Sequence, residues 1–327
     1  MRVVRVARER ERGAVLVIVC VTMVAFIGAT AFAVDLGSAW ESQRRLHTAT
    51  DAAALAVANE YAAKNDVPCT TVADSFVDAN DTDAEVTACE PHENGGSGYV
   101  TVSAERPVDF HFAGVFGIDS TDVSSSTTAA YGSPLAVTGL RPIAVCVYFP
   151  PVAEWLNEPD GPTGPSEPIE IPFTKEDLGC ENTPGNWEWL DIDAGGGGAN
   201  ELAYDLRNGS DESVTIPGVI APKTGRVSSV DDDLQYLVDN EVEFPIPLFN
   251  LKEGTGNNSL YHAVGVVTVK LLAFNVGGSQ DDDSFTFVLT PKTIEGTCCS
   301  EGALDTGTKV VNICAVDDDF DVSRCQP

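Results

Sequence analysis

Residues 14–64 read AVLVIVCVTMVAFIGATAFAV followed by DLGSAWESQRRLHTATDAAALAVANEYAAK, and the order of these two halves decides the architecture. The first half, Ala14–Val34, is 21 residues without a charge; its only polar side chains are Thr22 and Thr30, with a thiol at Cys20. At about 1.5 Å of rise per residue, a helix of that length crosses the roughly 30 Å apolar core of a bilayer. From Ser38 to Lys64 there is neither Gly nor Pro, and Ala49–Ala58 is almost all small side chains. Alanine is the best helix former, so the same helix is expected to continue out of the lipid as a stalk.

The flanks give the orientation. Arg2, Arg5, Arg8, Arg10 and Arg12 precede the apolar run and Asp35 follows it. Basic residues stay on the cytoplasmic side, so residues 1–13 read as a cytoplasmic tail, 14–34 as a transmembrane helix in contact with the lipid bilayer, and the rest as extracytoplasmic: a single-pass protein of the cell membrane. Ala31-Phe32-Ala33 fits the small-x-small pattern of a signal-peptide cleavage site. The apolar run is longer than a signal core of about 7–15 residues and the helical pattern passes through the site unbroken, so retention is expected. The small side chains at Ala49, Ala52, Ala53 and Ala56 are candidate helix-packing positions toward a partner chain, because they let a second helix approach closely. The alternative is that they serve helix propensity and face one modest core.

The strings Arg12-Gly13-Ala14-Val15, Ala33-Val34-Asp35-Leu36-Gly37, Gln43-Arg44-Arg45-Leu46 and Thr48-Ala49-Thr50-Asp51-Ala52-Ala53-Ala54-Leu55-Ala56 together resemble the TadE/TadG-like proteins of Flp (tight adherence) pilus assembly. A looser resemblance to the long secreted region of TadG-like members runs through Pro184-Gly185-Asn186-Trp187, Gly195–Gly198, Phe244–Phe249, Tyr261–Gly265 and Ser284–Phe287. The resemblance implies a pilus-associated, membrane-anchored role in adhesion or secretion, with other Tad/Flp pilus-assembly proteins as partners and no enzyme activity. The sequence departs from processed prepilins: Ile18 stands where the fifth residue after Gly13 would be Glu, and no Glu lies in Ala14–Val34.

Charge fits an exterior location. The net charge is −31 with a pI near 4.2. Outside residues 1–13, 48 acidic side chains face 14 basic ones. A surface that negative repels nucleic acid and anionic headgroups, so no nucleic-acid partner is expected. Asp231–Asp233, Asp281–Asp283 and Asp317–Asp319 read as solvated loop charges, with calcium as the sharper alternative. None matches an EF-hand loop, and Asp191-Ile192-Asp193-Ala194-Gly195 is only a fragment of one, so no metal ligands are assigned.

Cys20 lies in the apolar helix, while Cys69, Cys89, Cys146, Cys180, Cys298, Cys299, Cys314 and Cys325 fall on the outer side. An even number in an oxidising compartment points to disulfides. Proximity suggests Cys69–Cys89 and Cys146–Cys180. The last four are expected to pair among themselves, with adjacent Cys298 and Cys299 bonding to different partners.

Beyond the stalk the pattern changes. Thr71–Asp81 reads as a short helix, Val86–Cys89 and Tyr99–Glu105 as a hairpin around Asn94–Gly98, Phe110–Phe116 as an apolar segment and Asp122–Tyr131 as a strand. These make residues 35–132 a stalk helix plus a small pilin-like antiparallel sheet. Residues 133–327 read as a mostly β, disulfide-bonded domain, a sandwich or irregular sheet. Its strand-like runs are Ile143–Phe149, Glu243–Leu251, Ala263–Phe274 and Ser284–Leu289, with one short helix at Leu234–Glu241. Trp187 and Trp189 are expected in its core. The fold class is α+β.

No catalytic constellation stands out. His47, His92, His111 and His262 sit in no nucleophile or metal motif, and no Gly-x-Ser-x-Gly elbow is present. Gly195–Gly198 is followed by no Lys-Ser/Thr, so it is no phosphate loop. The expectation is a non-enzymatic structural or adhesive component of a Flp-type pilus without cofactor or small-molecule substrate. The alternatives are an anchored module that binds a surface ligand, with or without calcium, and, behind it, a secreted hydrolase using carboxylates.

Overall fold

The computed structural model describes residues 11–159, 161–174, 180, 182–193, 199–223, 230–255, 258–277 and 282–316. Helix α1 (Glu11–Ala62) is one element of 52 residues. It runs without a break through Ala31–Asp35. Between Val15 and Val34 its apolar side chains are exposed all round, and none of its most apolar 18-residue window is buried. A helix apolar on every face and uncovered by protein suits lipid as its solvent.

Past Asp35 the helix becomes one-sided. Leu46, Ala49, Ala53, Val57 and then Ala54 and Ala58 are fully buried, at the three- and four-residue spacing of a single helix face. The helix stops where Lys64 takes a left-handed conformation (φ 56°) and donates its backbone N–H to Tyr61 O at 3.0 Å. Pro68 then leads into α2 (Cys69–Asn80), which packs beside α1.

Strands β1 (Glu85–Asn94), β2 (Ser97–Asp109) and β3 (Ser120–Gly132) form an antiparallel sheet on that face. The β1–β2 turn is Gly95-Gly96, both with positive φ, as a two-residue hairpin turn requires. Val100, Val102 and Ala104 alternate inward beneath the helix, as the sequence pattern indicates. Edge strand β1 carries Pro91 with exposed glutamates, which discourages pairing with another chain. Arg106 of β2 reaches across to Asp81 (2.7 Å) and Asp83 (3.1 Å) at the end of α2.

The second core is larger. Its elements in chain order are β4 (Pro134–Val137), β5 (Ile143–Cys146), α3 (Pro150–Leu156), β6 (Ile169–Pro172), β7 (Trp187–Asp191), α4 (Ala199–Asn208), β8 (Val214–Thr215), β9 (Gly218–Pro222), α5 (Asp231–Asp239), β10 (Glu243–Glu253), β11 (Leu260–Asn275), β12 (Ser284–Thr290) and β13 (Gly296–Cys298). The main sheet has the order β10-β5-β7-β9-β11-β12-β6. Because β11 also pairs with β10, five of these strands close into a ring, and β12 and β6 extend it. The register of β10 against β11 shifts at Leu248–Leu251; such bulges bend a strand enough to turn the corner of a closed sheet. Trp187, Trp189, Phe173, Phe285 and Phe287 pack against one another in the core. Where a sandwich or irregular sheet was expected, the main sheet is a five-strand ring extended by two strands. Helices α3 and α4 lie in Pro-rich and Gly-rich sequence to which the sequence pattern assigns no element. Asp231–Asp233 also differ from expectation: they form the first turn of α5, where carboxylates favour the positive end of the helix dipole.

The last strand returns to the first sheet. β14 (Val310–Val316) pairs antiparallel with β3, giving the order β1-β2-β3-β14. The four-stranded sheet therefore takes its last strand from the C-terminal end of the described residues. Buried Lys309 precedes it, with Nζ 2.8 Å from Asp305 and donating to Gly96 O at 2.5 Å in the β1–β2 turn.

Cys69–Cys89 ties α2 to β1, and Cys146–Cys180 links the end of β5 to a distant segment, both as expected. Cys298 and Cys299 are bonded to one another, which corrects the expectation of two separate partners. The other cysteines past the apolar span in the described residues are already committed, Cys314 included. Cys298 is held by its N–H to Asn312 Oδ1 (2.7 Å), and Cys299 lies against Gly132. Cys20 is free. Cys325, like Asp317–Asp319 and Gly195–Gly198, lies outside the described residues.

Candidate functional site: the polar seam under the N-terminal helix

The buried face of α1 is not purely apolar. A row of polar side chains pins it to β3. Gln43 Nε2 donates to Ser124 O at 2.7 Å. Ser125 Oγ lies 3.1 Å from His47 Nδ1. Thr50 Oγ1 meets both Ser125 Oγ (2.9 Å) and Thr127 Oγ1 (3.0 Å), and Thr127 Oγ1 donates to Asp51 Oδ1 at 2.8 Å. The Ser/Thr richness of β3 is thus explained: its hydroxyls are partners for one helix face. A helix with only small apolar residues on that face slides easily, whereas buried hydroxyls lose about 1–3 kcal/mol each when left unpaired, so the row fixes the axial position of α1 on the sheet.

Asp35 forms the lower end of this seam. Its carboxylate accepts backbone N–H groups from His111 (2.8 Å), Phe112 (3.1 Å) and Ala113 (2.7 Å). Burial works to raise its pKa, but the N–H groups of His111, Ala113 and Phe112 outweigh that and hold it below the ordinary carboxylate value. The residue that ends the apolar span therefore holds a loop 76 positions away.

The four alanines separate. Ala49 and Ala53 lie fully inside the chain's own core, against β2, β3 and α2. Ala52 and Ala56 are half-buried on the flank of the helix. Sequence reasoning missed Gln43, Thr50 and Asp51 as positioning residues. The available signal was their spacing on the alanine-rich face.

The Ser125–His47 contact is closed over by the helix, with Ser125 buried, so the geometry serves packing. In the second core, Lys223 sits between Asp191 (3.3 Å) and Glu201 (3.0 Å), Asp193 accepts from the Ser210 hydroxyl, and Asp233 binds Arg207. Among the described residues no three His, Cys, Asp or Glu side chains converge to hold a metal. Glu188, raised by burial, is held by the Tyr261 hydroxyl at 2.7 Å.

Buried Asp205 stands out electrostatically. Burial first, then the charges of Asp193 and Glu201, push its pKa up to about 6, with Lys223 opposing. A carboxyl whose folded pKa lies above its unfolded value costs stability when ionised, so the penalty is complete above about pH 6 and fades as pH falls toward 4. Asp205→Asn is expected to gain about 1–2 kcal/mol at pH 7.5, allowing for solvent screening, and little at pH 4.5. Urea midpoints at the two pH values check this; an equal effect at both would show that the charge is not the cause.

The helix that carries one side of the seam is also the part of the chain that resembles a known family. Residues 13–60 match the family model described as putative Flp pilus-assembly TadE/G-like. No curated protein and no solved structure matches the chain. The family match covers the apolar span and the seam-bearing part of the helix, and ends two residues before α1 does.

Proposed function

We propose that this chain is a non-enzymatic, structural or adhesive component of a Flp/Tad-type pilus-assembly system, anchored by Ala14–Val34 with residues 1–13 in the cytoplasm and the remainder outside. The observation that carries this reading is the coincidence of the family match with a membrane-capable helix whose outer half is pinned, residue by residue, to a pilin-like sheet. The acidic surface and the disulfides support an exterior location. Its partners are other pilus-assembly proteins, met through the helix flank that carries Ala52 and Ala56.

Crosslinking in intact piliated cells, followed by identification of the captured chains, tests the reading; recovery of no pilus-assembly protein would end it. The alanines sharpen the test. Ala56→Leu keeps helix propensity and sits on the open flank, so folding is expected to be near wild type while crosslinking and piliation fall. Ala53→Leu overfills the chain's own core and is expected to cost about 1–3 kcal/mol of stability. Normal piliation in Ala56→Leu and in Ala52→Leu would remove the flank as a contact.

A further inference from the structure

The loop between β2 and β3 exposes an unusual amount of apolar surface. Val115 is 87% exposed, Phe116 86%, Ile118 53% and Phe112 46%. Phe110–Ile118 carries no acidic residue, in a chain with 50 of them. The loop is not loose: the Asp35 carboxylate gathers its His111, Phe112 and Ala113 N–H groups, and Gly117, with φ 80°, closes its short 3₁₀ turn Ala113–Phe116. Asp35 is the residue next to the apolar span. The loop is thereby held at the end of that span, level with exposed Leu36 and below Trp40, which is 63% exposed. Trp40 lies about 7.5 Å further along the helix at 1.5 Å per residue.

We propose that Phe112, Val115, Phe116 and Ile118 form a second membrane contact, dipping into the boundary between headgroups and acyl chains of the leaflet that α1 leaves, with Trp40 at the headgroup level. Continuity with the lipid-exposed face of α1 selects the bilayer as the occupant: the patch begins where that face ends. Aromatic and aliphatic side chains on an interfacial element bind by apolar burial, and Trp is favoured at the interface. Charge does not drive the contact, because the chain is strongly acidic, so zwitterionic lipid suffices. Two points of contact, a span and a loop joined through Asp35, fix the tilt and rotation of the outer domain relative to the membrane.

The inference rests on Ala14–Val34 spanning a bilayer, and the test separates the two claims. The full chain, with Cys20→Ser, is reconstituted in phosphatidylcholine vesicles with a nitroxide on Val24→Cys, Val115→Cys or Asn80→Cys in turn. Accessibility to oxygen, which concentrates in lipid, is compared with accessibility to a water-soluble nickel chelate. Positions 24 and 115 are expected to give an oxygen-to-nickel ratio several-fold above that at Asn80. Adding Asp35→Ala is expected to lower the ratio at 115 toward that at 80 and leave 24 unchanged. Lipid exposure at 24 with water exposure at 115 overturns the loop contact alone. Protection of 115 from both reagents also overturns it, since a protein then covers the patch. Water exposure at 24 overturns the membrane span itself. A ratio at 115 that ignores Asp35→Ala overturns the tether.

Discussion

Trp187→Ala is expected to destabilise the second core by about 3–5 kcal/mol, the range for removing a large buried aromatic side chain. Trp187 is almost fully buried, with ring centroids 4.6 Å from Phe285, 5.3 Å from Phe173 and 5.6 Å from Trp189. Trp189 shares its strand, while Phe173 and Phe285 come from distant parts of the chain, so no single element can move in to fill the cavity. Such a loss corresponds to a melting shift of roughly 10 °C for a unit of this size. The indole Nε1 finds no acceptor among the described residues. An unpaired buried donor costs about 1–3 kcal/mol, so Trp187→Phe, which removes it, is expected to lose far less than the Ala variant. Calorimetry of both variants in detergent micelles decides the matter. Equal losses would show that the indole nitrogen has a partner and that ring size is not the main term.

Removing the Cys146–Cys180 bond as a double Ala variant is expected to cost about 4 kcal/mol, by the loop entropy released to the unfolded chain. The bond spans 34 residues, against 20 for Cys69–Cys89, whose loss is expected to cost about 3 kcal/mol. Urea midpoints of the two double variants, each multiplied by its slope, measure the difference. The same samples test the wiring. Without reductant, alkylation of the unfolded chain is expected to modify Cys20 and none of Cys69, Cys89, Cys146, Cys180, Cys298, Cys299 and Cys314. Alkylation of both Cys298 and Cys299 would refute the bond between them.

Both predictions draw on features that local sequence carried in unequal measure. The apolar helix, its continuation as a stalk, the β1–β2 hairpin and the two short-range disulfides were legible, because each is encoded by neighbouring residues: length without charge, absence of Gly and Pro, Gly-Gly between alternating runs, cysteines a few tens of residues apart. The burial of Trp187 and Trp189 followed from their apolar area and two-residue spacing. Only the tertiary structure decided the rest. Ring closure needs β11 to meet β10 and β9 together, and β14 reaches β3 across nearly two hundred residues. Such pairings depend on the whole chain's packing, not on any window of it. The use of Ala49 and Ala53 depended on which surface covered them first, and the chain's own sheet does so. Asp35 gives the clearest division. The sequence by itself placed a carboxylate at the end of an apolar span, where any membrane helix might end. The tertiary structure aimed that carboxylate at three backbone N–H groups 76 to 78 residues away. It did so because those groups, at the start of a short turn, had no intrahelical acceptor of their own.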